Sequence, residues 1–88
     1  MDKLTTLSQT VELMNSNDFK ERFQAEYAQL KIRIKGLESM LEKYKAGTLT
    51  FEPKCTYNML FMQLQSMKMY ARSLEQRASI EDIDIDIV

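Results

Sequence analysis

Eighty-eight residues with net charge −1, one cysteine and no histidine allow one small domain and little reactive chemistry. The lone Cys55 excludes an internal disulfide, and without histidine or a second cysteine a tetrahedral metal site cannot be completed. No apolar run approaches the ~20 residues of a membrane span, no signal-peptide pattern opens the chain, and the charge is not that of a DNA-binding protein.

In chain order, Leu4, Leu7, Val11 and Met14 share one face of a short N-terminal helix expected over 3–15. Its polar residues include Thr5, Thr6 and Thr10, weak helix formers, so the segment needs docking to persist. Asn15-Ser16-Asn17-Asp18 breaks the pattern. Asp18 with Glu21 has the form of a capping box, and Asn17 is an equally good cap. A second helix is expected over 18–46, closed by Lys43 and Lys45 at the negative end of its dipole and by Gly47 as C-cap. Gly36 inside it is either a site of close approach or simply tolerated. Pro53 keeps the following loop out of helix. Thr56 then caps a third helix over 56–79. The tail, 80–88, alternates isoleucine with acidic residues. Alternation suggests a strand, yet the chain offers no other strand to pair with. The tail is expected to lie extended along a neighbouring molecule or to be disordered.

Two stripes carry the core. Phe23, Tyr27, Leu30, Ile34, Leu37 and Leu41 step by four and three, as do Leu60, Leu64, Met67, Ala71, Leu74 and Ala78. Two such stripes joined by a short loop predict an all-α fold: a short N-terminal helix, then a long antiparallel helical hairpin. Tyr57, Met59, Phe61, Met62, Met69 and Tyr70 fall off the second stripe, and one partner helix cannot cover them. A chain this short buries only ~60–65% of its unfolded surface. The surplus apolar surface therefore predicts a compact homo-oligomer of a single domain, 1–88.

Catalysis is hard to build from these residues. A serine, cysteine or threonine nucleophile needs a base beside it, and histidine is absent. The carboxylates interleave with lysines at helical spacing, as in Lys35 with Glu38, and read as solvated pairs. No glycine-rich phosphate loop occurs. A non-enzyme without cofactor is expected. Binding is easier. Phe19 and Phe23 stand one helical turn apart beside Lys20 and Arg22, with Arg33 and Lys35 further along a locally basic helix. Aromatic faces stack on nucleobases, and arginine forks onto phosphate oxygens. Each residue has a plainer reading. Phe23 continues the core stripe, Phe19 can staple the first helix, Arg33 and Lys35 can be a solvated face, and Arg77 can pair with Glu81. Were several Arg77 side chains to converge on a symmetry axis, an anion between them would be required.

Taken together, Asn17-Asp18-Phe19-x-x-Arg22, Glu26, Leu30, Arg33 and Leu37, then Pro53-Lys54-Cys55, Leu60, Gln63-Leu64, Met67, Tyr70, Leu74 and Arg77-Ala78 form a recognisable order. The chain resembles the small helical phage proteins that include the anti-CBASS cyclic-nucleotide sponges. The resemblance covers residues 17–79. It implies a hexamer that binds cyclic dinucleotides such as cyclic GMP–AMP between protomers without cleaving them, in the host bacterial cytoplasm during infection. The messenger of the bacterial immune response is thereby withheld from its effector. Cyclic trinucleotides are a second implied ligand at a separate site.

Residue by residue, the resemblance carries base stacking to Phe19, phosphate binding to Arg33 or Lys35, and the trinucleotide site to Arg77. Arg22 and Phe23 flank the stacking position and join the expected dinucleotide site. Phe23 and Tyr27 depart from the commoner pattern, which has an aliphatic residue and a lysine there. A rival reading remains: a helical adaptor whose methionine-rich third helix grips a host or phage protein.

Overall fold

The computed structural model describes residues 3–88. The first two positions of the expected 1–88 domain lie outside the described residues. A turn of 3-10 helix, Leu7–Thr10, runs into α1, Val11–Met14; α2 covers Phe19–Ala46 and α3 Tyr57–Glu81. The architecture is all-α, with no strand among the described residues.

The 28 residues of α2, at ~1.5 Å each, span nearly all of the 43 Å long axis. Its start is built differently from the expected capping box. Asp18 caps the helix by accepting from the Lys20 amide at 2.9 Å. Glu21 does not return to the cap backbone. The Ser16 hydroxyl donates to it at 2.7 Å and accepts the Asp18 amide at 3.0 Å, so serine stands between the two. At the far end Gly47 takes φ 73°, which an L side chain resists. The Thr48 amide then reaches back to the Lys43 carbonyl at 2.9 Å and satisfies it. Among the described residues nothing stands within 4 Å of where a Gly36 Cβ would be, so no close approach between them requires the glycine.

On α3 the Thr56 hydroxyl accepts from the Met59 amide at 3.2 Å. The helix runs two residues beyond its expected end, to Glu81, because Asp82 turns left-handed at φ 55° and the Ile83 amide donates to the Ala78 carbonyl. Pairs between the helices descend along α3 as they ascend along α2. Phe23 meets Arg77, Tyr27 meets Glu75, Glu38 meets Lys68 and Tyr44 meets Tyr57. The seam buries Phe23, Tyr27, Leu30, Ile34 and Leu41 against Leu64, Ala71, Leu74 and Ala78. These are the stripe positions, with Leu37, Leu60 and Met67 at its partly covered edge. Each fully buried leucine or isoleucine contributes on the order of 1.5–3 kcal/mol, so the seam is the main source of stability.

Both ends of the chain depart from expectation. Residues 3–6 are not helical. The Leu4 amide is committed to the Ile87 carbonyl at 2.7 Å, and the Gln9 side chain takes the amides of Thr5 and Thr6. The N-terminal segment docks through Thr10 and, from its apolar stripe, through Met14, whose sulfur accepts from Gln29 Nε2 at 3.4 Å. Thr10 is fully buried, donates to the Leu7 carbonyl and accepts from Gln29 Nε2 at 2.9 Å. Leu7, Val11 and Met14 are left exposed. The tail lies along its own α2. Ile83 is buried in the core with Ile85 and Val88 packed beside it. Lys20 Nζ donates to the Asp82 carbonyl, Gln24 Nε2 donates to the Asp84 carbonyl, and Lys3 pairs with Asp86. The alternation of the tail does separate covered from solvated side chains, but the surface it covers is a helix.

Candidate functional site

Successive residues of an α-helix turn by roughly 100°, and that rotation sorts α2 into three flanks. The first, Phe23 to Leu41, faces α3. The second lies between the Gln24 bond to the tail and the Gln29 bond to Thr10, and it includes the buried Ala25 and Ala28. The third carries Phe19, Arg22, Glu26 and Arg33 within an arc of roughly 60°, and all four are exposed. The one aromatic side chain on this open flank, Phe19, is 44% exposed and sits on the first turn of the helix.

At that end of the molecule Phe23 joins two of the expected residues. Its ring meets Phe19 edge-on, with centroids 6.2 Å apart and planes at 63°. Arg77, reaching from α3, places its guanidinium carbon 5.0 Å from the centre of the same ring. The plainer alternative, a pair with Glu81, is not formed; Arg77 makes a cation–π contact instead. Phe23 itself is 3% exposed. Within one chain its ring is covered by the seam, as its place on the core stripe leads one to expect.

Arg22 Nη1 donates to the Ser16 carbonyl at 2.9 Å, so one edge of its fork secures the break before α2. Among the described residues the ion pairs are Lys3 with Asp86 and Lys68 with Glu38. Arg22, Arg33, Lys35 and Arg77 take part in neither. Lys35 is separated from the rest. It lines a groove with Leu4, Thr5, Lys31 and Val88, about half a turn around α2 from Phe19. Arg33 shares the flank of Phe19 but lies 14 residues on, roughly 21 Å along the axis. One chain cannot bring both to a ring of two nucleotides.

Among the described residues, Tyr27 is the titratable group whose surroundings clearly shift it. Burial, and then the Glu75 carboxylate that accepts its hydroxyl at 2.7 Å, push its pKa up to about 12. It stays neutral and ties α2 to α3 one turn from Phe23. Spacing did not single out this bond, nor the roles of Lys20 and Gln24 in holding the tail. Each joins residues at least 48 positions apart, so no local pattern carries it.

The family model described as Sequestin matches residues 17–80 of the 88. The chain belongs to the Sequestin family. The match takes in α2, the loop and nearly all of α3, and it stops where the tail turns away at Asp82. As a member of Sequestin, the chain is placed among phage anti-CBASS proteins that bind and sequester cyclic nucleotides. No curated protein and no solved structure matches the chain significantly. Among the described residues of this Sequestin member, no helix is long and apolar enough to cross a membrane.

Proposed function

We propose that this Sequestin member, of T-even phage type, captures cyclic dinucleotides such as cyclic GMP–AMP at seams between copies of an antiparallel hairpin. The ring is held intact in the host cytoplasm, and the immune effector it would activate stays off. The observation that carries this reading is the open flank of α2. An exposed Phe19 and the cations Arg22 and Arg33 share it, and neither cation forms an ion pair among the described residues.

A cyclic dinucleotide has two bases and two phosphates in a nearly two-fold ring. A two-fold interface presents every residue twice. Two copies of Phe19 bracket the bases, and an arginine from each chain meets a phosphate. The ~21 Å between Phe19 and Arg33 supports a site in which different chains supply the two groups. The flank geometry favours Arg33 over Lys35 for the phosphate. Phe23 backs the site from beneath, and Arg77, at the end of α3, serves a separate site for cyclic trinucleotides.

Self-association is supported by what one chain leaves uncovered. Met59, Met62 and Met69 are each more than 60% exposed, and Phe61 and Tyr70 more than 40%. A homohexamer buries this face between sister chains. The test is calorimetry and thermal unfolding with cyclic GMP–AMP. At a hundred times its dissociation constant the ligand adds ~2.7 kcal/mol of stability, and denaturation releases it unchanged. A ligand recovered in cleaved form would make the protein an enzyme. The absence of any thermal shift or heat would overturn the sponge reading and leave the methionine face as an adaptor surface.

A further inference from the structure

We propose that the outer face of α3 is a self-complementary seam on which the α3 of a sister copy lies antiparallel; this rests on the self-association in the reading above. Met59, Met62, Ser66, Met69, Ser73 and Ile80 recur at the three-and-four spacing of a helix-pairing stripe. With Gln76 they fill an arc of roughly 100° on the side of α3 opposite its core stripe. All are exposed, Met69 by 67% and Ile80 by 82%, and none is charged. The two serines are already satisfied. Ser66 donates to the Met62 carbonyl at 3.2 Å and Ser73 to the Met69 carbonyl at 3.3 Å. Both can be covered without stranding a donor, and their small size lets a second helix come close.

The face matches itself. Turned antiparallel about a two-fold axis beside Met69, the middle of the stripe, Met59 meets the sister Ile80, Ser66 meets Ser73 and Met69 meets Met69. Gln76 faces Met62, whose sulfur is a weak acceptor. Each Arg72 falls beside the sister Gln65, so no like charges meet along that edge. Charge also sets the direction. Beyond Ile80 come Glu81, Asp82 and Asp84, none of them in an ion pair among the described residues. A parallel pair would lay the two acidic ends side by side. The antiparallel pair brings each acidic end to the start of the other α3, where the helix dipole is positive and Lys54 stands exposed, with Glu52 further out.

The experiment is disulfide trapping in the full chain, carried out with Cys55→Ser so that the native thiol does not compete. Under mild oxidation Met69→Cys should run as a covalent dimer, because position 69 lies beside the axis within bridging reach. Met59→Cys should not bridge to itself, since antiparallel copies hold those positions ~30 Å apart; Met59→Cys combined with Ile80→Cys should bridge. Met69→Glu sets two carboxylates on the axis. It should lower the native mass and leave the helical circular dichroism unchanged, because the side chain lies outside the core. A Met69→Cys chain that stays uncrosslinked, a Met59→Cys chain that bridges to itself, or a Met69→Glu chain of unchanged native mass overturns the antiparallel seam. So does a monomer that holds a host protein on this face. Cyclic GMP–AMP binding is measured separately on the parent chain. An assembly that binds the ring but fails to trap removes this seam and leaves the sponge; trapping without binding supports the seam and removes the sponge.

Discussion

Removing the Phe19 ring separates binding from folding most cleanly. Phe19 is 44% exposed, and its recorded aromatic contact is one edge-on pair with Phe23. Such a pair is worth ~0.5–1.5 kcal/mol beyond area burial, and the Asp18 cap does not depend on the ring. Phe19→Ala should therefore lower stability by about 1 kcal/mol and leave the oligomer intact. Its effect on the ligand is far larger. Stacking contributes ~1–3 kcal/mol per base, and a two-fold site loses both rings at once. The loss is ~2–6 kcal/mol, or roughly 30-fold to more than 10,000-fold in affinity. Phe19→Leu retains apolar bulk without a π face and should recover only a small part. The assay is calorimetric titration with cyclic GMP–AMP beside native mass and a urea melt of each variant. A native-sized Phe19→Ala oligomer with unchanged affinity would refute the reasoning and remove the residue from the site.

Other consequences are as specific. Arg33→Ala should weaken dinucleotide binding tenfold or more, since a charge-assisted bond contributes ~1.5–3 kcal/mol, and should flatten the dependence of affinity on salt. Lys35→Ala, on the far side of α2, should stay within about twofold; the reverse order in fluorescence titrations would contradict the flank assignment. Tyr27 has its pKa raised from 10.0 to about 12, so the folded state holds a proton that the unfolded chain gives up above pH 10. Its contribution is complete below pH 10 and is lost as pH rises to about 12. Urea melts across that window should show a fall of up to ~2–3 kcal/mol that is missing in Tyr27→Phe. Ile83→Ala removes a side chain 6% exposed in the core and should cost ~2–5 kcal/mol. Stability within about 0.5 kcal/mol of the parent would mean the tail is not docked in solution.

The parts legible in the sequence are those whose physics is periodic. Leu30, Ile34, Leu64 and Leu74 are buried because a four-three spacing can face only one way on a helix. Gly47 and Thr56 end and begin helices through bonds to residues three to five positions away, so the local pattern suffices. The tail was half legible. Its alternation carries the right division into covered and solvated side chains, but a period of two does not say whether the covering surface is a strand or a helix. Its anchors, Lys20 and Gln24, lie about 60 residues away in the chain. The N-terminal stripe misled because the docking contact is a polar one, Thr10 with Gln29, and it outranks the exposed Leu7 and Val11. At the candidate site, Phe19 and Arg33 were legible as residue types that suit a nucleotide. The place of Arg77 on Phe23 was not, because it depends on how two helices meet.

The central claim is that the ring is trapped between sister chains, and native mass spectrometry of the protein with cyclic GMP–AMP tests it most directly. The account predicts the proposed homohexamer, carrying one intact ring for every two chains and releasing it only when the assembly is dissociated. A monomer that carries its own ring, or an oligomer loaded with one ring per chain, would contradict it.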